Sequence, residues 1–145
     1  MSQAVSILLQ QHDHHFITVA HDQAVDSCIQ LMNDKDIGAL VVTKAGAVLG
    51  LISERDIVRR LYGHSLDPRQ TLAEDIVYRD VSILKASDSI EQVMAVISKT
   101  KRRHVLIQQN GEVNQIISIG DVMKYLLDEK GFIIEQLEKY ICASY

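Results

Sequence analysis

An internal repeat constrains the fold of this chain more than any other feature of its sequence. Gly46-Ala-Val-Leu-Gly-Leu-Ile-Ser-Glu-Arg-Asp56 recurs in outline as Gly111-Glu-Val-Asn-Gln-Ile-Ile-Ser-Ile-Gly-Asp121. The offset is 65 residues for the turn glycine, for Ser53 and Ser118, and for Asp56 and Asp121. Extended backwards without a gap, it lays Val25 on Ile90, Ile29 on Met94, Met32 on Ile97, and Leu40-Val-Val42 on Val105-Leu-Ile107. Forwards, it lays Ile57 on Val122 and Leu61 on Leu126. Few residues are identical, but the apolar pattern agrees throughout. A repeat of this kind sets the architecture before any single element is considered.

Each copy carries the same order of elements. Phe16–Val19 and Val81–Leu84 are short apolar runs that suit strands. Apolar residues at 25, 28, 29 and 32, and again at 90, 93, 94 and 97, follow a helical period. Leu40–Thr43 is a continuous apolar run suited to a buried strand. Lys44-Ala45-Gly46 and Gln109-Asn110-Gly111 are hairpin turns, with glycine at a position that needs positive φ. Val48–Ile52 and Val113–Ile117 are the return strands, and a helix begins near Ser53 and near Ser118. Tyr62–Thr71, with Gly63 and Pro68, is the linker. Val5–Gln10 and Leu72–Val77 are expected to be short helices, each opening the half in which it lies. The expected division is a first repeat over residues 1–65, a second over 66–130, and a C-terminal helical extension over 131–145. A unit of about 60 residues is marginal alone, so the two are expected to share one body.

Composition excludes several classes. The chain has 145 residues with 47% apolar and 23% charged side chains, the balance of a folded globular protein rather than a disordered one. A formal charge of -4 is the wrong sign for a general nucleic-acid binder. No run reaches the roughly 20 apolar residues of a membrane span, and the N-terminus lacks the basic start of a secretory signal. Cys28 and Cys142 lie too far apart in sequence to suggest a disulfide framework and read as reduced thiols of a cytoplasmic protein. Cys28 falls on the apolar stripe of its helix, where it acts as a small hydrophobe.

Gly50-Leu-Ile-Ser53-Glu-Arg-Asp56 and Ile116-Ile-Ser118-Ile-Gly-Asp121, with the preceding strands Ile37-Gly-Ala-Leu-Val-Val42 and Arg102-Arg-His-Val-Leu-Ile107, carry a family resemblance. They match the G-h-h-[ST]-x-x-D signature, with h apolar, of the tandem cystathionine-β-synthase (CBS) domain family, whose paired copies are called a Bateman module. The resemblance runs from about Val5 to Tyr140. The second copy departs from it at Gln115, where the family often has glycine. The fold implied is α+β: two strand–helix–strand–strand–helix repeats packed sheet to sheet with pseudo-twofold symmetry. The function implied is regulatory, through an adenosine-containing ligand such as AMP, ADP, ATP, S-adenosylmethionine or a dinucleotide held in clefts between the repeats. AMP or ATP is the leading expectation, with no obligatory cofactor.

The resemblance assigns roles residue by residue. Asp56 and Asp121 are the ribose candidates, and Ser53 and Ser118 the phosphate candidates. Thr18 and Val19, Ser82 and Ile83 lie near the adenine slots, with Ala39 and Val41 completing a wall. Elementary chemistry agrees: a carboxylate accepts from a vicinal diol, and a helix N-terminus favours phosphate. The same Ser-x-x-Asp spacing is also close to a capping box, in which the side chains merely satisfy the helix's own N–H groups. The densest basic cluster is Lys99–His104. Within it Lys101, Arg102, Arg103 and His104 are phosphate candidates, since guanidinium grips phosphate bidentately. Arg55 joins them from the first signature. The equivalent first-half stretch, Asp34–Ala39, lacks this basic density, so one anion site should dominate.

His12-Asp13-His14-His15 is read as a polar connection with no metal role. No nucleophile, acid–base pair, P-loop or dinucleotide fingerprint emerges, so no enzymatic activity is expected. Gly131 is expected to interrupt the last helix before Phe132–Ile141. The stripe at 133, 137, 140 and 141 is then a packing face or a homodimer contact, a C2 dimer being the commonest oligomer. An effector protein is expected but not identified, and neither nucleic acid nor membrane is an expected partner. The competing reading is a structural dimeric adaptor whose nucleotide sites have degenerated.

Overall fold

The protein, described by a computed structural model over residues 3–144 with the side chains of 130–136 and 140–144 left aside, is α+β with two three-stranded sheets. The elements run α1 (Val5–Leu9), β1 (Thr18–Ala20), α2 (Val25–Lys35), β2 (Ala39–Lys44), β3 (Ala47–Ser53) and α3 (Glu54–Asp56). They continue as α4 (Ala73–Ile76), β4 (Ile83–Lys85), α5 (Ile90–Thr100), β5 (His104–Gln109), β6 (Glu112–Ser118) and α6 (Ile119–Ser144). Two compact units result, residues 15–82, and residues 1–14 with 83–145.

The first-repeat unit (residues 15–82) orders its sheet β1-β2-β3. β1 runs parallel to β2, which pairs antiparallel with β3. The hairpin between β2 and β3 turns through Ala45 and Gly46, both at positive φ (53° and 77°). Two such residues make the turn whose twist matches the flanking strands. Leu40, Val42 and Ile52 face α2 and pack with Val25, Cys28, Met32, Leu61 and Ile76 in one core. Val41, between two core residues, points to the opposite face by strand alternation and is nonetheless fully buried. α2 has alanine at its N-cap and no side-chain cap. Its first N–H groups bond instead to linker carbonyls, Val25 N to Thr71 O at 2.8 Å and Asp26 N to Pro68 O at 2.9 Å.

The second-repeat unit (residues 1–14 and 83–145) copies this plan. Its sheet is β4-β5-β6, and its hairpin turns through Asn110 and Gly111 at φ 54° and 80°. Val105, Ile107 and Ile117 pack with Ile90, Val93, Ile97 and Val122. Leu106 is buried on the other face. Here α5 carries a full capping box, with Ser89 Oγ accepting from Gln92 N and Gln92 Oε1 accepting from Ser89 N.

Three features differ from the sequence expectation. First, α1 packs with the second repeat and α4 with the first. Val5 and Leu8 belong to the second-repeat core, whereas Ala73 and Ile76 belong to the first. Backbone bonds dictate the exchange: Val5 N to Asp88 O at 2.8 Å and Ile90 N to Gln3 O at 2.9 Å in one unit, and Ala73 N to Gln23 O at 2.8 Å in the other. The compact units therefore run over residues 15–82, and over 1–14 with 83–145. Second, the helix after Ser53 keeps α geometry only to Asp56, widens into a π turn over Ile57–Leu61 and closes as a 3-10 turn over Tyr62–His64. Third, Gly131 does not interrupt α6, which runs unbroken over 26 residues. A single interior glycine costs about 1 kcal/mol, which a helix of that length carries. Of the stripe expected on it, Leu137 is exposed, and the side chains of Ile133, Tyr140 and Ile141 lie outside the described residues. No helix among the described residues is long and apolar enough to cross a membrane.

Candidate functional site

In each unit the signature residues gather at one end of the sheet, where β3 or β6 passes into a helix. In the first-repeat unit Ala39 on β2 faces Ser53 on β3, and Thr18 on β1 faces Val41 on β2. Thr18 is exposed, Val19 and Ala39 are half-buried, and Val41 is buried. Glu54 N donates to Gly38 O at 3.1 Å, tying the segment before β2 to the start of α3. Asp56 accepts from Ser53 N at 2.9 Å and Ser53 Oγ at 2.8 Å, and Asp56 N donates to Ser53 Oγ at 3.4 Å. The capping box is therefore present. It leaves Asp56 only 1% exposed, with Arg60 Nε 3.6 Å from its Oδ1. Arg60 also donates from Nη1 to Val77 O at 2.9 Å and lies over the Tyr78 ring. The i, i+4 spacing of Asp56 and Arg60 is legible in the sequence, whereas Arg55, the phosphate candidate beside Asp56, is exposed.

The second-repeat unit repeats the scaffold with different chemistry. His104 on β5 faces Ser118 on β6. Ile119 N donates to Arg103 O at 2.8 Å, the counterpart of the Glu54–Gly38 bond. That bond joins the Arg103 main chain to the start of α6. Lys101 and Arg103 are exposed, Arg102 and His104 half-buried. Lys101 is also the left-handed cap of α5, at φ 60°. Ile83 is exposed at the start of β4, and Ser82, half-buried just before it, is the last residue of the first-repeat unit. Asp121 accepts from Ser118 N at 2.8 Å, and Asp121 N donates to Ser118 Oγ at 3.1 Å.

Two residues of the polar connection before β1 come to this carboxylate. His12 Nε2 lies 3.7 Å from Asp121 Oδ1 and His14 Nδ1 lies 3.8 Å from Asp121 Oδ2. The two rings are in contact, with centroids 4.0 Å apart. Burial pushes the His14 imidazole below its ordinary pKa, and neighbouring His12 pushes the same way. Asp121 and the backbone of Leu8 and Ile116 oppose the shift. His14 Nε2 is buried without a hydrogen bond of good geometry. Nothing in the local sequence announces this convergence, because it depends on α1 packing with the second repeat.

Gln115 stands where the first repeat has Gly50. A Cβ on Gly50 would collide with Tyr78 O, because residues 77–78 bond directly to β3: Leu51 N to Tyr78 O at 2.9 Å and Tyr78 N to Leu51 O at 2.8 Å. In the second-repeat unit the matching segment makes one such bond, Ile116 N to His14 O at 2.9 Å. Gln115 is accommodated there, and its Nε2 donates to Gln109 Oε1 at 2.8 Å.

Comparison with known proteins agrees with this architecture. The family described as "CBS domain" matches residues 6–63 and again 73–128. A CBS-domain protein of Agrobacterium tumefaciens is 31% identical, with a TM-score of 0.79 over 85% of this chain and 98% of that one. One from Burkholderia ambifaria is 28% identical, with a TM-score of 0.82 over 87% of this chain and 95% of that one. Among curated relatives, the mitochondrial CBS domain-containing protein CBSX3 of Arabidopsis thaliana is 25% identical over 92% of this chain and 67% of its own length. The chain spans only 21% and 22% of two longer Arabidopsis CBS-domain proteins.

Proposed function

The chain belongs to the CBS domain family, and from that premise we propose that it is a regulatory module binding an adenine nucleotide of the AMP or ATP kind. CBS-domain proteins are generally regulatory, signal-sensing modules. The observation that carries the nucleotide reading is the bond from Ile119 N to Arg103 O. It ties the backbone of the stretch Lys101, Arg102, Arg103 and His104 to the first residue of α6, next to Ser118 in sequence, and His104 pairs with Ser118 across β5 and β6. Phosphate suits the guanidinium groups and the N-terminus of the long helix α6, while a carboxylate suits the ribose diol. In the first repeat Ser53 and Asp56 take the same parts, with Arg55 for phosphate. Thr18, Val19, Ala39 and Val41, and in the second repeat Ser82 and Ile83, are the adenine-side residues. A switch of this kind works only if the nucleotide binds two conformations with different affinity, and the output passes to an effector protein. No catalytic role is part of the proposal. A cytoplasmic location is, and the buried free thiol of Cys28 is compatible with it.

Self-association belongs to the same reading. Val58 and Tyr62 are exposed apolar residues, and so are their counterparts 65 positions on, Met123 and Leu127. The same exposed pair in both repeats favours a second copy of this chain as the partner.

The test is thermal shift and calorimetry against AMP, ADP, ATP and S-adenosylmethionine. Ligand at 100 times Kd should stabilise the fold by about 2.7 kcal/mol. Absence of any shift at millimolar nucleotide would favour the adaptor reading, in which the capping boxes of Ser53–Asp56 and Ser118–Asp121 serve the helices alone.

A further inference from the structure

We propose that His12, His14 and Asp121 form a site for a borderline divalent cation of the zinc kind within the second-repeat unit. One potential ligand atom from each of the three residues lies within 4.8 Å of the other two. The donor set is two imidazoles and one carboxylate, the set that Zn²⁺ accepts with a fourth position open to water.

The spacing argues for an ion rather than for ion pairs. His12 and His14 stand 3.7 and 3.8 Å from the two oxygens of Asp121, beyond hydrogen-bonding distance. Elsewhere in the same chain an imidazole and a carboxylate that do bond close to 2.7 Å, His21 Nδ1 to Glu74 Oε2. Metal–ligand distances of about 2.0–2.1 Å in a tetrahedron put ligand atoms about 3.3 Å apart. The gaps to Asp121 are thus too wide for hydrogen bonds, and the three ligand atoms, within 4.8 Å of one another, need draw together by no more than about 1.5 Å to hold an ion.

The ligands are also held from behind. Asp121 Oδ2 accepts from Ser118 N at 2.8 Å, and the His14 main chain is pinned to β6 through Ile116 N at 2.9 Å. The bond to Asp121 is an outer bond of the kind that orients a ligand, while the His14 ring is held by burial, its Nε2 being without a hydrogen-bond partner. The His14 side chain is 2% exposed and His12 46%, so the site is walled on one side and open on the other. The first repeat has no equivalent, since Arg60 stands beside Asp56 there. The inference does not rest on nucleotide binding.

The experiment is titration of the chelator-stripped full chain with Zn²⁺ by calorimetry and with Co²⁺ by visible absorption, both without nucleotide. One ion per chain is expected, with a tetrahedral cobalt spectrum and a rise in melting temperature. His12→Ala, at a half-exposed position that leaves the fold intact, should weaken binding at least about tenfold. His14→Ala and Asp121→Asn should do the same, and His15→Ala should not. Absence of stoichiometric Zn²⁺ binding would overturn the site. So would equal weakening by His15→Ala, unchanged affinity in His12→Ala, or a thiolate-to-cobalt charge-transfer band placing the ion on a cysteine.

Discussion

Asp56 and Asp121 occupy the same place in two copies of one fold, yet their surroundings give them different capacities. Both close a helix-start box with the serine three residues before. Asp56 is buried, takes both the N–H and the hydroxyl of Ser53, and has Arg60 at its other oxygen. The Asp121 side chain is 26% exposed, takes only the N–H of Ser118, and faces two histidines. At the position of Arg60 the second repeat has Tyr125, whose hydroxyl turns to Glu129 at 3.0 Å. The backbone fixes where the carboxylate stands. Neighbours outside the motif decide how much of the carboxylate stays exposed.

The sharpest way to break this comparison is at Gly50. A methyl group there meets a backbone carbonyl rather than a flexible side chain. Gly50→Ala should cost about 3 kcal/mol, the upper end of overpacking, in urea unfolding. Gln115→Ala, at the equivalent place, has no such neighbour and should cost less than half as much. Equal costs would mean that the connector at Tyr78 yields as easily as the one at His14.

Next comes the pair of aspartates. Asp56→Ala removes a buried acceptor and leaves the N–H and hydroxyl of Ser53 without their partner, a loss of about 2–3 kcal/mol. Asp121→Ala removes one cap bond at a partly exposed site and should cost about 1 kcal/mol. Denaturant midpoints of the two variants measured together decide it. A reversal of the order would show that the burial of Asp56 contributes nothing to stability.

Binding gives a smaller difference. The basic cluster sits only in the second repeat, so Arg102→Ala with Arg103→Ala should weaken nucleotide affinity by about 10- to 100-fold, the loss of one or two charge-assisted hydrogen bonds. Arg55→Ala in the first repeat should weaken it about threefold or less, as suits an exposed first-turn charge. Calorimetry on both variants tests the expected dominance of one anion site.

Much of this asymmetry could be read before the fold was known, and the part that could not has a physical cause. The constant offset carries the hairpins, because an Asn-Gly or Ala-Gly turn needs positive φ whatever surrounds it. It also carries β2 and β5, whose runs Leu40–Val42 and Val105–Ile107 are apolar on both faces. The exchange of α1 and α4 was hidden. Both are short apolar segments of the same pattern, and long-range backbone bonds such as Val5 N to Asp88 O choose their partner. His12 and His14 stayed hidden for the same reason, since they reach Asp121 only through that exchange. Gln115 was visible as a departure, but its meaning required knowing what lies against Gly50.

The smallest expected effect tests whether the two units respond separately. Cys28 has no exposed surface in the first-repeat core, and burial pushes its thiol pKa up. Its counterpart 65 residues on is Val93, fully buried in the other core and unreactive to thiol reagents. Alkylation at Cys28, located by peptide mass, therefore reports opening of the first-repeat unit alone. Gly50→Ala and Asp56→Ala act in that unit and should speed the labelling in proportion to the stability they remove, provided opening and closing are fast relative to alkylation. Asp121→Ala acts in the other unit and should leave the rate within about twofold of the parent if the two units open independently. If Asp121→Ala accelerates labelling as much as Asp56→Ala, the two units open together and the difference between the aspartates does not extend to the stability of their units.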